Sequence, residues 1–226
     1  MSALSEGRPG RPKAAGSLGR RGAAARRVTT LGWLILLAVQ AVWGSDSRLA
    51  QGKLLVASRR LGDPNFVESV VLLIEYGAKG ALGLVLNRPS QQGLSALVPQ
   101  GKELEEQVGQ VFWGGPVARR QLLMLLRSDR RFEADRTKQV AQGLYVSASR
   151  DLLERLLAKG DLAPKIRVYA GSAGWGAGQL EGELFRGDWL VLPYEEEIVF
   201  SDRPGSVWKR LIDRGALILA QARPSP

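Results

Sequence analysis

From Lys53 onward the chain becomes a succession of short apolar runs punctuated by Gly, Pro and Asp, each about the length of one strand and too short for a helix. "KLLVAS" (53–58), "SVVLLIEY" (69–76) and "ALGLVLN" (81–87) open the series, with "GAKG" as a hairpin turn between the last two. "QVFWGG" (110–115), "QLLMLLRS" (121–128), "GLYVSAS" (143–149), "KIRVYAG" (165–171) and "DWLVLP" (188–193) continue it. Helical patterns interrupt the runs. "SRDLLERLLAKG" (149–160) has Ser149 to cap it, Asp151 in its first turn, a Leu152, Leu153, Leu156, Leu157 stripe and Gly160 to end it. "AGQLEGELFRG" (177–187) reads as a short helix, and a last one starts near Pro204 with Trp208, Leu211 and Ile212 on one side. A helical turn is expected before Pro99. Strands and helices mix without regular βαβ alternation, so the expected class is α+β rather than a doubly wound sheet.

The residues before Lys53 have a different composition. Residues 1–27 are Arg, Gly, Ala and Ser with little apolar bulk, the composition of a disordered leader. Val28 to Ser45 is uncharged, with its dense apolar part from Leu31 to Trp43, shorter than the ~20 residues a helix needs to span a bilayer. A basic flank, a short apolar run and the small residues Val42 and Gly44, at minus three and minus one, suit an export signal cleaved after Gly44. An uncleaved membrane anchor, an organellar presequence, or a cytoplasmic protein with a mis-assigned start are the alternatives. The expected organisation is leader (1–27), signal or anchor (28–45) and one compact domain (46–226).

The formal charge of +10 divides unevenly: residues 1–44 carry seven Lys/Arg and one acid, and the remainder only +4. Basicity is therefore mostly a property of the leader, and nucleic acid is not an expected partner of the domain. Arg119-Arg120 and Arg127-Arg130-Arg131 are its one basic concentration, read as a charge-guarded strand edge. The chain has no Cys and no His. Thiol chemistry, disulfides, the usual neutral-pH general base and the commonest zinc ligand are thereby removed, and no resident cofactor or metal is expected.

The stretch "GWGAGQLEGELFRGDWL" (174–190) puts glycines, Trp175, Trp189, Gln179 and Glu183 within one turn and helix. Gly174 lies where strand becomes helix, and the helix start is a possible anion site. Gln179 and Glu183, four apart, share a face. Glu183 is a candidate base, as is Asp63 in "DPNF", though Asp63 also suits a turn that Pro64 fixes, with Phe66 in the core. Asn87-Arg88-Pro89 ends a strand; Arg88 offers two-point recognition of an anion. Gly114-Gly115-Pro116 resembles an oxyanion-type loop or a tight strand exit. Ser172 has no base to activate it. Glu195-Glu196-Glu197 reads as a solvated turn, and both tryptophans as core.

Together with "LGDPNFVESVVLLIEYGAKGALGLVLNRP", "VFWGGPV", "VYAGSAGW" and "SVWKRLI", this stretch closely resembles the signature of the bacterial YqgE/AlgH family, over most of 52–212. The resemblance implies a compact α+β domain with a barrel-like sheet. It implies no defined reaction, although some members carry a transcriptional-regulator label. Relatives usually have His at the position of Tyr76, an aromatic at Ser172 and often a His near Leu126, so any chemistry of those side chains does not carry over. The expected function is a non-catalytic ligand-binding or regulatory domain with a small pocket where Asp63, Asn87, Arg88, Gly114, Gly115, Gly174, Trp175, Gln179 and Glu183 meet a small anionic ligand. An acid–base enzyme acting on an anionic substrate and a DNA-binding regulator are the alternatives.

Overall fold

The structure, a computed structural model, describes residues 49–91, 93–96, 110–129, 131–132, 136–158 and 165–221. All of these lie in one compact unit, Gln40–Pro226. The leader, the apolar segment and Gly160 fall outside the described residues.

Among the described residues nine strands form one sheet: β1 (Leu54–Ala57), β2 (Val70–Gly77), β3 (Gly80–Val85), β4 (Phe112–Trp113), β5 (Val117–Arg127), β6 (Thr137–Ala141), β7 (Leu144–Ser147), β8 (Lys165–Trp175) and β9 (Trp189–Leu192). Their order is β6-β7-β5-β8-β3-β2-β1-β9, antiparallel throughout, with the short β4 parallel to β8 beside β3. The helices are α1 (Arg150–Ala158), α2 (Gln179–Phe185), α3 (Glu196–Val199) and α4 (Pro204–Gln221), and a 3-10 turn spans Leu94–Ala96. Among the described residues no helix is long and apolar enough to cross a membrane.

The apolar runs are buried because both faces of the sheet are covered. Leu54, Val56, Leu72, Leu84, Leu125 and Tyr169 belong to the larger core, which also takes in Leu180 of α2, Ile198 and Val199 of α3 and Val207 and Leu211 of α4. Trp208 of α4 donates its indole N–H to the Ala57 carbonyl at 2.7 Å, fixing the helix on β1. Met124, Leu126, Tyr145 and Val168 form a smaller core with Leu152 and Leu153 of α1. Ser149 caps α1 as its position requires, its Oγ accepting the Leu152 N–H at 3.2 Å.

Three expectations need correction. The sheet is open rather than closed into a barrel. Edge strand β6 is held near the start of β1 and near β2 by side chains instead of a ladder: Lys138 meets Glu75 at 3.2 Å, and Gln51 donates to the Gln139 carbonyl at 2.8 Å. Secondly, "TKQVA" is a strand, β6, with no counterpart among the expected runs. Thirdly, Glu195-Glu196-Glu197 is no free turn. Glu196 begins α3 and binds Arg127 (2.7 Å) and Lys165 (3.0 Å), while Glu195 pairs with Arg214. The Arg127 hydrogen bond, then that of Lys165, holds the Glu196 carboxyl below the usual glutamate range against an opposing push from burial.

Candidate functional site

Strand β8 ends at Trp175, and the chain reverses through Gly176–Gly178 into α2, with Gly178 left-handed at φ 75° as its N-cap. One helical turn separates Gln179 from Glu183, and the reversal points both back at β8. Glu183 Oε2 accepts the indole N–H of Trp175 (2.9 Å) and that of Trp189 (2.8 Å), while Oε1 accepts from Gln179 Nε2 (2.9 Å). Gln179 Oε1 in turn accepts the Gly176 N–H at 3.1 Å. Phe66 stacks on Trp175 at 5.8 Å and meets Trp189 edge-on at 5.7 Å. Gly83 of β3 leaves the space beside it that the Trp175 ring occupies. The glycines therefore turn the chain, and the two indoles become the donors that satisfy one carboxylate.

The other expected residues form a second group. Asp63 Oδ1 accepts the Asn65 backbone N–H at 2.8 Å, a turn that presents Phe66. Asn87 is buried and spans two segments, accepting from the Val70 N–H (2.9 Å) and donating to the Glu68 carbonyl (2.8 Å). Arg88 donates to the carbonyls of Asn65 and Val67. Burial lowers the pKa of its guanidinium, opposed by the charge of Asp63. Gly114 gives its N–H to Ala170 and its carbonyl to Val85, and Trp113 donates to the Arg88 carbonyl. Gly115, at φ 145°, lies so close to β8 that a Cβ would overlap the backbone of Ser172.

Asn87, Arg88, Gly114 and Gly115 thus sit together, linked to Trp175 through the 63–67 loop and Phe66. Gln179 lies elsewhere. Ala81, near the start of β3, pairs with Trp175, whereas Asn87 follows the other end of the strand, about 20 Å away at ~3.3 Å per residue. Gly174 pairs with Leu82 between them and is exposed.

A different concavity is lined by arginines. Ala118–Gln121 of β5 stand opposite Gly171 alone, because the ladder with β8 shifts between Val117 and Leu122. This bulge, with Ala118 at φ 48°, interrupts the ladder at Arg119 and Arg120, which are exposed. Arg119 lies over the Trp113 ring at 4.8 Å. Arg120 lines a groove of about 230 Å³ with Arg136, just before β6, and Arg150, the first residue of α1. Leu122, Met124, Leu153 and Val168 supply apolar lining, and Ser147 and Ser149 supply hydroxyls. Arg136 adopts φ 60°, and its carbonyl accepts the Ala148 N–H at 3.0 Å. Two of the three non-glycine residues with positive φ among the described residues therefore shape this groove. Arg150 also meets Glu154 at 2.7 Å; neither Arg120 nor Arg136 has an ion-pair partner among the described residues. Arg136, Leu123, Ser147 and Ala148 also line a second cavity, of about 280 Å³. Among the described residues no group of three or more carboxylates is placed to hold a metal.

The chain is similar to known proteins over most of this domain. A family model described as AlgH-like matches residues 54–217. The chain belongs to the AlgH-like family. A UPF0301 protein of Mycobacteroides abscessus is 37% identical over 183 residues, covering 79% of this chain and 86% of its own length. One from Chlorobium luteolum is 36% identical over 173 residues, covering 76% and 88%. The solution structure of AlgH from Pseudomonas aeruginosa superposes with a TM-score of 0.60 at 32% identity, over 78% of this chain and 95% of that one. A crystal structure from Corynebacterium diphtheriae, at 23% identity and TM-score 0.61, shares the fold. In this AlgH-like domain the resembling motifs occupy the Trp175–Glu183–Trp189 assembly and the Asn87–Gly115 strand junction. The groove arginines come from three separate places in the chain. Only the Arg119-Arg120 pair showed in the sequence, where it read as a guarded edge, because the bulge that turns Arg120 into the groove depends on strand pairing.

Proposed function

We propose that this AlgH-like domain is a non-catalytic binding domain for a small anionic ligand, held in the groove lined by Arg120, Arg136 and Arg150. The observation that carries the reading is the groove itself: three guanidinium-bearing residues from three elements line one concavity that also has an apolar wall. The non-catalytic part is supported by the carboxylates that an acid–base enzyme would use. Glu183 has its oxygens occupied by two indoles and Gln179, and Asp63 fixes a turn.

Thermal unfolding of the full chain with inorganic phosphate and with chloride at matched ionic strength tests the proposal. A ligand at a hundredfold excess over its Kd stabilises by about 2.7 kcal/mol, which raises the melting temperature of a domain this size by roughly 5–10 °C. The expected result is a phosphate-specific rise that Arg136→Gln removes; equal curves in both salts refute it. On the location of the domain, residues 28–45 act as an export signal or membrane anchor, and N-terminal sequencing of the mature protein decides between them.

A further inference from the structure

Resting on that reading, we infer that the small anion is the terminal carboxylate of an extended peptide, which adds as a short strand along the free edge of β5. The edge follows from the ladder. Strand β5 begins at Val117, but β7 pairs with it only from Met124 to Arg127. Leu122 stands opposite Ala170 of β8, and Ala170 gives its carbonyl to the Gly114 N–H at 2.9 Å, on the side of β4. An antiparallel ladder alternates the direction of its backbone groups, so Leu122 turns its N–H and C=O away from β8. Met124, two residues on, turns the same way and meets Ser147 of β7. At Leu122 β7 has already ended, and among the described residues no backbone group pairs with Leu122 on that side. Leu122 is half-buried, and Ala118 to Gln121 before it are exposed. An accessible donor and acceptor at a strand edge are the template for strand addition.

That the peptide ends here follows from what lies ahead of it. The same edge of β5 is taken by β7 from Met124 on, so an added strand in line with β7 runs into fixed backbone. The Ala148 N–H is held by the Arg136 carbonyl at 3.0 Å and the Ser149 N–H by Ser147 Oγ at 3.1 Å. A continuous strand has no way through this block, whereas a chain end stops at it. Charge selects which end. Arg120 and Arg136 line the groove and no acidic residue does, so a carboxylate terminus is attracted and an ammonium terminus repelled. Arg136 lies at the block itself, and its guanidinium fork matches the two oxygens of one carboxylate. The peptide then runs parallel to β5, its last residue toward Ser147. Arg150 takes no part, since Glu154 holds its guanidinium at 2.7 Å. The groove, about 230 Å³, has room for the tip of a peptide and not for a folded element.

Titration calorimetry and amide hydrogen exchange on the full chain separate this inference from the reading beneath it. The probes are N-acetylated Thr-Val-Thr-Val with a free carboxylate, the same peptide as its C-terminal amide, the free acid with its peptide nitrogens methylated, and inorganic phosphate. The amide is expected to bind about tenfold more weakly than the free acid, because a charged acceptor is replaced by a neutral group. The methylated acid, which has lost its main-chain donors, should also bind about tenfold more weakly. At ten times its Kd the free acid should slow exchange of the Leu122 N–H by about tenfold, and inorganic phosphate should leave that exchange unchanged. Arg136→Gln should weaken the free acid and inorganic phosphate alike. Phosphate bound in the groove without binding of the free acid overturns the peptide and leaves the anion site intact. Equal affinity for acid and amide overturns the carboxylate terminus. A Leu122 N–H protected in the free chain as strongly as that of Met124, or one the bound acid leaves unprotected, overturns strand addition. Binding by none of the probes refutes both this inference and the anion site.

Discussion

Replacing Glu183 by glutamine changes one atom and disturbs four hydrogen bonds. In the native domain both carboxylate oxygens only accept, which is why two indoles and the Gln179 amide can all donate to them. Glutamine retains a single acceptor oxygen. With that oxygen facing the indoles, its new NH2 group confronts the Gln179 NH2 group. The Gln179 amide must then flip, and the Gly176 N–H loses its acceptor. The two indole bonds also lose their ionic partner. A bond to a charged group is worth about 1.5–3 kcal/mol and a neutral one about 0.5–1.5, so the indole bonds lose roughly 1 kcal/mol each. The lost Gly176 bond adds up to about 1 kcal/mol, giving a total of about 2–3 kcal/mol. For a domain of this length that lowers the melting temperature by roughly 4–12 °C. The assay is thermal and urea unfolding of the parent, Glu183→Gln, Trp189→Phe and the double variant. The cycle should show a coupling of about 1 kcal/mol between positions 183 and 189. A Glu183→Gln variant that melts within about 1 °C of the parent, or additive single effects, would refute the carboxylate's role as the shared acceptor.

Asn87→Ala leaves the Val70 N–H and the Glu68 carbonyl without their buried partner, at a cost of about 2–4 kcal/mol that urea midpoints should register. Gly115→Ala combines positive φ with overlap onto the Ser172 backbone; the soluble yield should collapse, while Gly62→Ala, in open space at ordinary φ, leaves it unchanged. The Glu196 carboxyl is held below its unfolded value, so its contribution is fully present above the unfolded pKa and is lost as pH falls through the folded one. Urea midpoints should therefore fall below about pH 5, and less steeply in Glu196→Gln.

The parts of this fold legible in the sequence are those whose residues settle their own environment. β1 and the first half of β2 are continuous apolar runs, the β2–β3 hairpin is closed by Gly77 and Gly80, and α1 carries its own cap and leucine stripe. Strand β6 escaped because "TKQVA" buries only Val140 and is strand only by its pairing with β7. Strand β5 extends back to Val117 through residues that are exposed, and exposure erases the alternation that marks a strand. The Gln179–Glu183 spacing was visible, but the convergence of Trp189 on the same oxygen as Trp175 requires β9 and β8 to be set by their partners first. The groove was least legible, since Arg120, Arg136 and Arg150 meet only through a bulge, a strained turn and a helix start.

The most direct measurement is a map of backbone amide shifts on addition of inorganic phosphate, by heteronuclear NMR of the labelled chain. The account predicts that the perturbed amides cluster at Arg120, Gln121, Arg136, Ser149 and Arg150, with saturation at one site. Shifts centred on Asn87, Gly115 and Gln179, or none that saturate, would contradict it.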